Sequence, residues 1–148
     1  MNKNKKKLIG YVTNNEFNEK IIPIPFQNIL LRNYCKDNNI TYLLPYNEII
    51  FKNSYSQLLT LINKLDSDTG IICCSIFMLP NNNDDLKKIL NSLKQKKSYI
   101  YSIYEDFYFE KNKDIYEIIY KKQISKLNDQ FFNNTEFRNY LGILLKKF

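Results

Sequence analysis

The feature that most constrains this chain is residues 70–79, GIICCSIFML, a continuous apolar run closed by Pro80. A run with no polar side does not suit a half-solvated sheet. It belongs in a strand buried on both faces, at the centre of a parallel sheet. Parallel neighbours need crossover connections, usually helical. Such segments lie on either side. Before the run, Leu58, Leu59, Leu61, Ile62 and Leu65 follow a cap at Asn53 or Ser54. After it, Leu86, Ile89, Leu90 and Leu93 form a helical stripe behind Asn82, Asn83, Asp84 and Asp85, residues suited to a helix N-terminus.

The same alternation extends outward. Residues 7–13 (KLIGYVT) and 40–46 (ITYLLPY) read as the first and second strands. Between them Pro23 and Pro25 open a helix with apolar positions at Phe26, Ile29, Leu30, Leu31, Tyr34 and Cys35. Residues 98–109 (SYIYSIYEDFYF) read as a fourth strand ending near Tyr104. A helix over 113–127 places Ile115, Ile118, Ile119 and Ile124 on one side. A last helix over 135–145 carries Leu141, Leu144 and Leu145, with Phe148 beyond it. This order predicts an α/β fold: an open, mostly parallel four-stranded sheet, order 2-1-3-4, flanked by helices in three α/β/α layers. Residues 1–127 form a single α/β domain. Residues 128–148 form a C-terminal helical extension packed on the domain or on a partner subunit, with 128–135 as a hinge. Its Lys146-Lys147-Phe148 end also suits a membrane surface.

Composition narrows the classes. With 148 residues and 44% hydrophobic content, the chain can bury a core. No apolar run reaches the roughly 18 residues that span a bilayer. The basic start MNKNKKKLIGYV has too short an apolar stretch for a signal peptide, so a cytoplasmic protein is expected. Cys35, Cys73 and Cys74 form no spaced disulfide framework, and the absence of histidine argues against zinc. No glycine-rich phosphate loop or nucleophile elbow occurs, so no cofactor and no metal are expected. The net charge is +7, but of 22 basic residues only Arg32 and Arg138 are arginine, and alanine is absent. An AT-rich coding sequence produces that pattern. Specific nucleic-acid binding is therefore not expected, and the charge points only weakly to anionic partners.

In such sheets ligands bind beyond the carboxyl ends of the strands, where strand order reverses. That places a crevice between Thr13–Asn15 and Ser75–Met78. Glu48 and Glu105 are the candidate catalytic residues, as proton donors or acceptors, or else solvated loop carboxylates. Thr13, Asn14, Gln27, Arg32, Tyr55 and Ser75 are the candidate substrate-binding residues, with Arg32 placed to meet an anionic group. Gln27 and Asn28 serve equally well for the open hydrogen bonds of a helix start. Ser75 has no histidine to activate it. The tyrosines between 99 and 120 can stack on sugar rings or bases, or simply fill core and surface.

An ordered set of segments resembles the sporadic carbohydrate cluster family, small bacterial proteins of surface-polysaccharide and O-antigen gene clusters. The set is Gly10-Tyr11-Val12; Phe26-Gln27-Asn28; Leu31-Arg32-Asn33-Tyr34-Cys35; Tyr42-Leu43-Leu44 with Glu48; Ser54-Tyr55; Gly70-Ile71-Ile72; Ser75 through Pro80; and Glu105. The resemblance implies an accessory protein or small enzyme of lipopolysaccharide O-antigen or capsule biosynthesis, binding a sugar or sugar nucleotide at the strand ends. A more distant likeness is to the catalytic domain of serine recombinases (resolvases), carried by Gly10-Tyr11 and Gln27. There Val12, Thr13 and Asn14 replace the nucleophilic serine and its arginine, and Phe77-Met78 replace an Asp-Arg pair. The alternative function is thus a non-catalytic interaction module: a dimeric scaffold or a resolvase-like nucleic-acid binder. The sequence leaves open whether the chain is an enzyme.

Overall fold

The structure, a computed structural model, describes residues 7–16, 21–48, 51, 54–133, 135, 139 and 142–143. Five strands form one sheet in the order β2-β1-β3-β4-β5. The strands are β1 (Lys7–Val12), β2 (Thr41–Asn47), β3 (Thr69–Cys73), β4 (Ile100–Ser102) and β5 (Phe107–Phe109). The first four are parallel, as the order 2-1-3-4 requires, and β5 returns antiparallel to β4. The helices are α1 (Ile24–Asp37), α2 (Ser56–Asn63), α3 (Asn83–Gln95) and α4 (Asn112–Asn133). Helix α1 packs on β1, β2 and β3, whereas α2, α3 and α4 pack against one another in sequence. Right-handed crossovers put α1 on one face and α2 and α3 on the other, because the chain steps left to β2 and then right to β3 and β4.

The central run is buried apart from the half-buried Phe77, but it is not one strand. Strand β3 ends at Cys73, and Ile76–Met78 form a short 3₁₀ turn. Ser75 causes the turn. Its backbone is extended and its Oγ accepts the Phe77 N–H, which opens the 3₁₀ segment instead of prolonging the ladder. The aromatic run over 98–109 likewise divides. Asp106 adopts a left-handed φ of 47° and the chain reverses, so the expected fourth strand is a hairpin, β4 and β5. This fifth strand is the one departure from the expected four-stranded sheet.

Two local choices shape the α1 face. Strand β2 carries one extra residue opposite Gly10, since Ile9 pairs with Leu43 but Tyr11 pairs with Tyr46. Gly10 leaves the space through which Tyr42 crosses to donate a hydrogen bond to Asn28 Oδ1 on α1, 3.0 Å away. Beyond α1, the same face is covered by tyrosines in ring contact: Tyr34 with Tyr101 and Tyr101 with Tyr108 in tilted pairs, and Tyr99 edge-on to Tyr108, with centroids 4.6–5.2 Å apart. Tyr99 and Tyr101 are therefore core rather than a platform for rings from outside.

Helix α4 starts at Asn112 and continues past Asn128 to Asn133, so residues 128–133 extend this helix. Most of the last helix expected over 135–145, with Leu141, Leu144, Leu145 and Phe148, lies outside the described residues, as does the cap expected at Asn53. No helix among the described residues is long and apolar enough to cross a membrane.

Candidate functional site

The carboxyl ends of the strands gather most of the predicted residues into three separate hydrogen-bonded groups. Fully buried Gln27, on α1, holds the loop after β1. Its Oε1 accepts the Thr13 N–H at 3.2 Å, and its Nε2 donates to the carbonyls of Thr13 and Ile22 at 2.7 and 2.6 Å. A buried amide that meets both backbone groups of one residue fixes that loop in place. Thr13 Oγ1 in turn accepts the Asn15 N–H, while Asn14 is exposed.

Glu48, at the end of β2, is buried and caps α2 from outside the helix. It accepts the N–H groups of Gln57 and Leu58, each at 3.2 Å, and the Tyr11 hydroxyl at 3.0 Å. A carboxylate beside a helix start satisfies open donors and complements the dipole. Burial first, and Glu48 second, push the Tyr11 hydroxyl far above its usual range, so it stays protonated as a donor. Tyr55 is half-buried beside Glu48, its hydroxyl raised by burial, then by Asp85 and Glu48.

Ser75 and Glu105 form the third group. Ser75 Oγ donates to Glu105 Oε1 at 2.6 Å, and the Ile76 N–H donates to Oε2 at 2.9 Å. Ser102 Oγ donates to the same Oε2. Glu105 thus ties the 3₁₀ turn after β3 to the end of β4. Arg32 does not join these groups. It is exposed on the later part of α1, above the start of β2.

Lys122 on α4 reaches the same end of the sheet, and no periodicity in the sequence marks it out. Its Nζ donates to the carbonyls of Leu79 and Pro80 at 2.6 and 3.0 Å and to Asn81 Oδ1 at 3.0 Å. It therefore docks α4 on the segment after the 3₁₀ turn. Burial draws its ammonium down from 10.5 to about 7, against smaller opposing pulls from Cys73 and Glu105. Above the unfolded value the amine is neutral in both states, and the penalty on folding accumulates as pH falls from that value to the folded one. Stability is therefore expected to rise between about pH 7 and 10. Lys122→Met should flatten that slope in urea unfolding followed across this range; an unchanged slope would assign it to other groups.

The three cysteines are buried and free, and burial raises all three thiols, so they are inert at neutral pH. Among the described residues no group of three or more metal-ligating side chains exists.

The arrangement defines a class of fold, that of recombinase catalytic domains. The N-terminal catalytic domain of TP901-1 integrase superposes with a TM-score of 0.55 at 14% identity, covering 84% of this chain and 98% of that domain. A resolvase family site-specific recombinase from Streptococcus pneumoniae superposes with a TM-score of 0.56 at 11% identity, covering 97% and 99%. At such identity the likeness concerns the fold. No family model matches the sequence, and no curated protein matches it. The expected place among carbohydrate-biosynthesis proteins of O-antigen and capsule clusters is therefore corrected. Nothing beyond the short segments supports it, and the neighbours are recombinase domains.

Proposed function

We propose that this chain is a non-catalytic interaction module of the resolvase fold that pairs with a second copy through α4. One observation carries the reading. Tyr116, Tyr120, Ile124 and Leu127 follow one another at helical spacing along α4, and all are exposed, by 67, 62, 38 and 53%. Between Gln123 and Gln130 every side chain is exposed except the half-buried Ser125, so this stretch gains little from the domain body. An isolated helix of that length is marginal in water, and an apolar stripe at three- and four-residue steps, here four, four and three, is what pairs helices.

The strand ends support the non-catalytic part of the proposal. Thr13, Gln27, Glu48, Ser75 and Glu105 are spent on backbone amides and on one another. Val12, Thr13, Asn14, Phe77 and Met78 offer no guanidinium where phosphodiester chemistry would need one. Sedimentation equilibrium tests the pairing. The wild-type chain should dimerise, and Tyr120→Glu with Leu127→Glu should leave a monomer with unchanged circular dichroism. A wild-type chain that stays monomeric at high micromolar concentration would remove the reading.

The net charge of +7 and the recombinase neighbours favour a second reading, in which the paired module binds nucleic acid in the cytoplasm. Lysine rather than arginine supplies the charge, which suits contacts to phosphates rather than to base edges. Retardation of duplex DNA should then be insensitive to sequence and weaken steeply with salt. Retention that persists in high salt would argue against it.

A further inference from the structure

Among the described residues, strand β2 lies at one end of the sheet and pairs only with β1, so no described strand covers the backbone groups of its outer edge. Beside that edge runs a groove of about 550 Å³ between β2 and the later part of α1. Its floor is apolar, formed by Ile40, Tyr42 and Leu44, and Leu44 is 82% exposed at the extra residue of β2. Its lip on α1 carries Arg32 and Lys36, both exposed. Neither forms an ion pair among the described residues, and no carboxylate lines the groove. One helical turn before Asn33, Ile29 is 54% exposed and prolongs the apolar surface along the same row.

We propose that this groove binds an extended acidic segment of a partner protein, which adds to the sheet as a strand along the outer edge of β2. An incoming strand gains affinity from main-chain hydrogen bonds and selectivity from alternate side chains. Here those side chains meet apolar floor and two cations, which selects valine- or isoleucine-rich sequence punctuated by glutamate or aspartate. Pro45 lacks an N–H, so pairing is confined to the part of β2 before it, Thr41 to Leu44. A second copy is the poorer occupant, because it would bring the same two cations to the lip. Nucleic acid is poorer too, since two cations over an apolar floor neutralise few phosphates.

The proposal is separate from pairing through α4, and its test does not depend on that pairing. The probe is a short fluorescein-labelled peptide of alternating glutamate and valine, with a lysine–valine peptide as its control. Fluorescence anisotropy should show saturable binding of the first and not of the second. Arg32→Glu with Lys36→Glu should weaken the glutamate–valine peptide by roughly tenfold or more, and backbone N-methylation of the peptide should abolish binding. Both substituted side chains are exposed, and unchanged circular dichroism confirms that the variant folds. Equal binding of the two peptides, or binding indifferent to the double substitution, overturns the proposal. So does loss of dimerisation, or of DNA retardation, in the Arg32→Glu, Lys36→Glu variant with no peptide binding by the wild type.

Discussion

Replacing Glu105 by alanine is expected to destabilise the domain by about 3 kcal/mol, because it orphans buried donors rather than removing one exposed contact. Its carboxylate receives the Ser75 hydroxyl, the Ile76 N–H and the Ser102 hydroxyl. The hydroxyls can rotate toward other acceptors, but the Ile76 N–H cannot, and the residue itself is fully buried. The cost should appear as a lower urea midpoint with little change in slope. Ser75→Ala in the Glu105→Ala background should add much less than it does alone, since the two share one network. A Glu105→Ala variant with wild-type stability would show that these donors find other acceptors and that the network does not hold the fold.

Gly10→Ala is expected to cost about 2–3 kcal/mol, through overpacking in a site that glycine keeps open. A methyl group there would lie 2.9 Å from the Tyr42 ring, 3.0 Å from Pro45 Cβ and closer still to the Tyr42 hydroxyl. The hydroxyl sits at the far end of a side chain, but its hydrogen bond to Asn28 pins it to α1, and Pro45 belongs to the β2 backbone. Tyr42→Phe removes the nearest atom. The double variant should therefore recover part of the loss, by an amount that thermal or urea unfolding can resolve. Full additivity of the two substitutions would mean that Pro45, not Tyr42, sets the limit.

Both effects bear on what the residues alone disclose. Glu48, Ser75 and Glu105 read in the sequence as polar residues at the ends of strands, and Gln27 as a residue of the first turn of a helix. Their positions were legible because alternating strands and helices place the carboxyl ends on one side. Their partners were not. Gln27 meets Thr13 across 14 positions and Glu48 meets Tyr11 across 37. No periodicity relates residues so far apart. Arg32 shows the converse: its charge suggested a place in the strand-end group, but the turn of α1 it occupies faces the start of β2. Lys122 is one lysine among many until α4 brings its amine to three oxygens just beyond the carboxyl end of β3.

Hydrophobic patterning by itself determined the alternating α/β class and the burial of most of residues 70–79, because which side chains must leave water is a local property of the chain. Tertiary structure alone decided that this run breaks at Ser75, that residues 98–109 turn back as a hairpin, and that the candidate acids face backbone amides. Each of those outcomes depends on a hydrogen-bond partner supplied from elsewhere in the fold, and a buried polar group adopts whatever geometry that partner allows.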